Sequence, residues 1–372
     1  MTEAVLSPVT TVAEKRADSK SRGFWTLAWQ RFRDDRVGVV SLVIVAAFLI
    51  VVLLSATGLV AGNWNREVAI HDAPPDLWGL LKPAAPTVIE NATHKEPFTI
   101  TAESAEEWKH IEAQLSATVV DPLAETLQAL GAGNETVAVV KEKRASLPLG
   151  GDRWGRDVLS KTIKGSQTSI IVGLSAALLA TLLGTVLGAL AGYYGGRIDD
   201  ALNWFYNVFS AIPYLLLILA VAAVLQQRGV MTVILILGLT GWSGVFRLIR
   251  AEYIKHRGRE YVQAAHAFGV PNRRILFFHI LPNVFHVVLV NISILAVGFI
   301  KAEVILSYLG FGVKVDEVSW GSMLNDAQGE LILGRWWELV AAGGAMALLV
   351  TAFSLLTDAM RDAMDPKIQK AS

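Results

Sequence analysis

Few side chains in this sequence have the type and setting to do chemistry, and they are scattered. Glu303 stands inside a long apolar run, with Lys301 two residues before it. A carboxylate within a membrane span is costly and marks a functional position by default. It is a candidate for lining a pathway or gripping a partner subunit; a structural ion pair or hydrogen bond inside the bundle is the plainer use. Asp152, Arg153, Arg156 and Asp157 surround Trp154. They suit either an ion relay or a local network with Trp154 at headgroup depth. His279 and His286 are seven residues apart and would share a face of a continuous helix. Pro282 falls between them and no third ligand is near, so no metal site is expected. The chain has no cysteine, which removes thiol catalysis, thiolate metal sites and disulfides. No Gly-x-x-x-x-Gly-Lys-Ser/Thr pattern occurs, so the chain is not expected to bind ATP. No nucleophile–base set appears in the apolar runs. The expectation is a non-enzyme that needs no cofactor.

The elements that hold these residues are membrane spans. Charged residues make up 18% of the chain, below the roughly 25% of a soluble protein. A span needs about 20 mostly apolar residues. Six stretches qualify or come close: Val37 to Ala61, Ser169 to Tyr193, Leu202 to Leu225, Val230 to Ile249, Val284 to Leu309 and Leu339 to Leu356. The fold class expected is an all-α integral membrane protein. Lys and Arg near span ends face the cytoplasm. Arg31, Arg33 and Arg36, the loop 250–283, and Arg361, Lys367 and Lys370 all fall on one side of a six-span chain. Both termini are therefore expected in the cytoplasm, as a segment 1–36 and a tail 359–372. Residues 37–61 form the first span, 62–168 an external loop or lobe, and 169–358 the core with a cytoplasmic loop at 250–283. Within the lobe, "EPFTITA" alternates like a strand and "SAEEWKHIEAQL" reads as helix. The first apolar run is expected to be a retained anchor. Net charge is zero, which gives no sign of nucleic-acid binding.

One polar stretch interrupts the spans: "REYVQAAHAFGVPNRRILFFHILPN", residues 259–283. Arg259 to Phe268 has good helix formers. Gly269 fits the position just past a helix end, with Pro271 beyond it. A second helix is expected from Asn272, and Pro282 marks the entry to span five. Ala264, Ala265 and Ala267 carry little bulk, while Tyr261 and Phe268 are large. Such a helix either seats in a groove on another protein or lies on lipid headgroups.

The stretch resembles the coupling motif of the permeases of ABC importers, Glu-Ala-Ala, three residues, Gly, then Ile-Leu-Pro. Gln263, Ala264, Ala265, Gly269, Ile280, Leu281 and Pro282 match it, with Gln263 in place of the glutamate. Other stretches are similar to the dipeptide/oligopeptide subfamily, and to its second permease subunit. They are "LPLGGDRWGRDVLSKTIKGSQTSIIVG", "GYYGG", "AIPYLLL", "ILSYLGFG", "WGSMLND" and "DAMRDAMDP". The resemblance covers about 25–62 and 147–367 and leaves out 63–146.

The resemblance implies a transport subunit that carries di- or oligopeptides, or another cargo of the subfamily such as a nickel chelate, glutathione, an opine or a peptide antibiotic. Its implied partners are a homologous permease, cytoplasmic ABC ATPase subunits and an external substrate-binding protein. It also implies that Tyr261, Gln263, Ala264, Ala265, Phe268, Gly269, Pro271, Arg273 and Pro282 couple the ATPase to the spans. An ATP-independent secondary transporter is the rival; it would show an inverted repeat and ion-coupling carboxylates. No repeat is visible and Glu303 stands alone. Glycines 184, 188 and 192 recur every four residues, a pattern for close helix packing within the subunit or with its partner.

Overall fold

A computed structural model describes residues 24–76 and 143–364. The strand-like and helix-like stretches of the external lobe (96–102 and 104–115) and Lys367 and Lys370 lie outside the described residues. Among those described, regular structure is helical, with isolated β-bridges only.

Helix α1 (Phe24–Asp34) leads into α2 (Arg36–Ala56), the first span. Asp35 separates them, and its carboxylate caps α2 by accepting from Val37 N–H at 3.0 Å. The next described span, α3 (Val158–Tyr194), starts well before the expected Ser169. Its start is fixed by Asp157, whose carboxylate accepts from Leu159 and Ser160 N–H at 3.2 and 3.1 Å. At 1.5 Å per residue α3 is about 55 Å long, well beyond a hydrocarbon core of about 30 Å.

The expected third span is two helices, α4 (Gly196–Ser210) and α5 (Tyr214–Leu225), meeting at 86°. Pro213 causes the break: it has no N–H to continue the ladder and disfavours helical backbone at Ile212. Only α5 is uniformly apolar, and twelve residues span about 18 Å. The expected fourth span is likewise α6 (Val230–Thr240) and α7 (Ser243–Arg257), bent by 41°. Four helices are long and apolar enough to cross a membrane, and six crossings result if each bent pair counts as one.

After α8 (Glu260–Ala267), helix α9 runs without interruption from Asn272 to Tyr308. Pro282 does not break it, contrary to the sequence expectation. The turn before it, Ile275–Ile280, is a π-helix, and Leu281 N–H bonds Leu276 O five residues back. That widened turn absorbs the donor Pro282 lacks. The chain closes with α10 (Trp320–Ile332) and α11 (Trp337–Met364).

Helix α3 is the axis: α2, α6, α7, α9, α10 and α11 all pack on it. In lipid no hydrophobic force draws helices together, so small residues and polar links must do so. A Cβ at Gly184, Gly188 or Gly192 would lie 2.5–2.7 Å from the carbonyl oxygen of Trp242, which caps α7, or of Phe246 or Arg250 on α7. The glycine repeat therefore serves packing inside this chain. Arg250 on α7 also pairs with Asp199 on α4 through two hydrogen bonds of 2.5 and 2.7 Å.

Candidate functional site: the helix between two spans

Helix α8 packs against the C-terminal ends of α3 and α7 and the start of α9. Val262 and Ala265, three residues apart, are buried in a cluster with Ala189, Tyr193, Tyr253 and Leu276. His266 stacks on Tyr193 at 6.1 Å, and its Nε2 lies 3.2 Å from the Tyr193 hydroxyl. That hydroxyl donates to Asn272 Oδ1 at 3.0 Å, and Tyr253 donates to Leu276 O at 3.1 Å. One face of α8 is thus fastened to the spans on both sides.

The other face is displayed. Tyr261, Gln263, Ala264, Phe268, Gly269, Pro271, Arg273 and Pro282 are exposed, Phe268 by 85%. Of the nine residues that the sequence singled out, Ala265 is the one turned inward. It fastens the helix. Partial desolvation pushes the Tyr261 hydroxyl pKa up, and the hydroxyl lies 2.8 Å from His256 Nδ1. Gln263 donates its amide N–H to Gly258 O at 3.4 Å. A glutamate here, as in the motif, would be an acceptor only and could not make that bond.

The helix ends in a Schellman turn. Val270 N–H bonds Ala265 O at 3.1 Å and Gly269 N–H bonds His266 O at 2.9 Å. Gly269 sits at φ +71°, and a Cβ there would meet open space. Backbone conformation, not room, is what calls for glycine.

Glu303 is fully buried on α9. It accepts from Ser169 on α3 at 2.6 Å and from Ser307 at 2.7 Å, and Trp320 N–H reaches Ser169 Oγ at 3.3 Å. Lys301 is exposed and does not pair with it; residues two apart on a helix do not face each other. The carboxylate joins α3, α9 and α10 by hydrogen bonds.

At the opposite end of α3 the expected network of Asp152, Arg153 and Arg156 is present, extended by Lys161, Asp326, Glu330 and Glu338, which the sequence did not single out. Lys161 Nζ, almost fully buried, contacts Glu338 at 2.6 Å, Asp152 at 3.2 Å and Asp326 at 3.3 Å. Asp152 also accepts from Trp154 and Arg156 N–H, each at 2.9 Å, which closes the 152–156 loop. Arg153 pairs with Asp326 at 3.2 Å and lies 3.8 Å over Trp154. Glu330, held by Arg153 N–H at 3.3 Å, has its pKa raised, chiefly by burial. These charges form a local network that ties α3, α10 and α11. Lys161 sits in the first turn of α3, where a cation opposes the helix dipole unless acids surround it; the expected start at Ser169 hid that position. Among the described residues, no group of three or more His, Cys, Asp or Glu is placed to hold a metal ion.

The chain is similar in sequence to known transport proteins. Residues 184–370 match the model for the binding-protein-dependent transport system inner membrane component. Residues 23–74 match that for the N-terminal TM domain of oligopeptide transport permease C. The dipeptide transport system permease protein DppC of Bacillus subtilis (strain 168) is 31% identical over 315 residues, 82% of this chain and 98% of that protein. The oligopeptide transport system permease protein OppC of the same organism is 34% identical over 222 residues, 60% of this chain and 72% of that one. Among solved structures, a chain of the MetNI methionine ABC transporter in an inward-facing conformation matches at 12% identity and TM-score 0.38, over 51% of this chain and 96% of that one. The chain belongs to the family of inner membrane components of binding-protein-dependent transport systems, in its dipeptide and oligopeptide permease branch.

Proposed function

We propose that this chain is one of two permease subunits of an ATP-driven importer of small peptides. A homologous permease forms the other half of the pathway. ATPase subunits bind on the side of α8, and an external binding protein delivers cargo at the opposite face, with both termini of this chain in the cytoplasm. The observation that carries the reading is the two-faced α8. Its inner face is held against three spans, and its outer face presents Ala264 and Phe268, with Tyr261 beside His256 at its edge. A helix held this way passes a push from a docked protein to α3, α7 and α9 together. Transport then follows if the docked ATPase biases two arrangements of the spans.

The test is to tag the chain, extract it in mild detergent and identify what co-purifies, then measure ATP-driven uptake with a panel of peptides and metal chelates. A second permease, ATPases and peptide uptake support the reading. Solute movement by the chain alone without ATP contradicts it, and uptake of another cargo only redirects the peptide assignment.

A further inference from the structure

Opposite α8, the ends of several spans enclose a cavity of about 300 Å³. Trp64 after α2, the 153–156 loop, Arg228 between α5 and α6, and the 310–318 loop after α9 all line it. Two of those loops are tied together by Gly229 N–H on Gly312 O at 3.1 Å, and the Lys314 stem lies along Gly229. The volume suits a small ligand.

The lining holds five cationic side chains and two carboxylates, Glu317 and Asp326. Lys161 and Arg153 are already paired with acids. Arg156, Arg228 and Lys314 form no salt bridge among the described residues, although Glu67, joined to Arg156 by a backbone bridge, lies close enough to feel its charge. Arg156 is the most constrained. Its guanidinium lies 4.8 Å from the Trp154 ring and 5.8 Å from the Trp64 ring, and its buried Nε has no hydrogen-bond acceptor among the described residues. Two aromatic rings thus flank a planar fork of donors whose buried Nε lacks an acceptor among the described residues. Glu317, which accepts from Lys314 N–H at 3.2 Å, stands on the cavity wall and, with Asp326, lowers its positive charge.

We infer that this cavity is a carboxylate subsite that takes the C-terminal carboxylate of the cargo peptide at the outer mouth, through Arg156, Arg228 and Lys314. This rests on the peptide-import reading. A carboxylate accepts two parallel hydrogen bonds from a guanidinium fork, a geometry that an amide cannot match.

The experiment uses the whole importer in proteoliposomes. Initial uptake of trialanine and trialaninamide is compared, each at a concentration that saturates the binding protein. The native importer should favour the free acid about tenfold or more, the loss expected for one charge-assisted hydrogen bond. Arg156→Gln should abolish the preference. Arg228→Gln and Lys314→Gln, at exposed positions that do not threaten folding, should each reduce it several-fold. An unchanged acid-to-amide ratio in all three variants overturns the subsite. So does an equal slowing of both peptides that appears only with anionic lipid, which would assign the cavity to a lipid headgroup. If the native importer carries neither peptide, the peptide-import reading itself has failed.

Discussion

The Tyr193 hydroxyl donates to Asn272 Oδ1 at 3.0 Å, joining the last turn of α3 to the first residue of α9. The same oxygen touches His266 on α8. Lys161 lies on α3 too, 32 residues earlier, or about 48 Å at helical rise. One continuous helix therefore runs from the charged network at one end to the displayed helix at the other. Displacement of α8 cannot leave α3 undisturbed without breaking the Tyr193 contacts.

Gly269→Ala should weaken coupling although there is space for the methyl group. A left-handed residue other than glycine costs about 1–2 kcal/mol, enough to fray a two-turn helix. Gly269→Asn should retain most function, because Asn tolerates this conformation. Peptide-stimulated ATP hydrolysis in reconstituted complex measures both; equal activity in Ala and native chains would contradict the Schellman-turn argument.

Ala264 and Ala265 should respond in opposite ways. Ala265→Leu overpacks the cluster beneath α8 and should lower stability by about 1–3 kcal/mol. Ala264→Leu points outward, so stability should hold while ATPase association falls. Thermal unfolding in detergent and ATPase pull-down separate the two.

Lys161→Met should be among the more damaging single changes. It leaves Asp152, Asp326 and Glu338 without their shared cation, and stripping one partner from buried charges costs about 3–5 kcal/mol. The midpoint of thermal aggregation reports it. A shift no larger than that of an exposed lysine such as Lys301→Met would mean the network contributes little.

Glu330 gives a pH dependence with a defined sign. Burial raises its folded pKa above the ordinary 4.5, with nearby Asp72 and Asp152 adding to the effect. The folded state therefore holds this proton more tightly. Its contribution to stability is complete below pH 4.5 and is lost as pH rises through the raised value. Glu330→Gln should flatten that slope in melting curves taken across the window.

Much of this was legible in the sequence because its signals are local. The apolar runs located four long helices, two of which begin 11 and 12 residues earlier than expected. Gly269 and Pro271 marked the end of α8, and the four-residue glycine spacing marked a close packing face. What was missed depends on distant partners. Pro213 was visible, but the 86° turn around it needed the surroundings of α4 and α5. Lys161 meets Asp152, Asp326 and Glu338 from three separate elements, and nothing in their spacing announces it. Pro282 looked like a break because the π turn that accommodates it has no strong sequence signature.

The central claim is that the outer face of α8 touches the ATPase. The chain has no cysteine, so Phe268→Cys introduces a single one. With a short bifunctional reagent in native membranes, that thiol should cross-link to an ATPase subunit in a nucleotide-dependent way. Ala265→Cys, facing inward, and Val315→Cys, 92% exposed at the opposite end, should not. No adduct from Phe268→Cys, or an equal yield from Val315→Cys, would contradict the account.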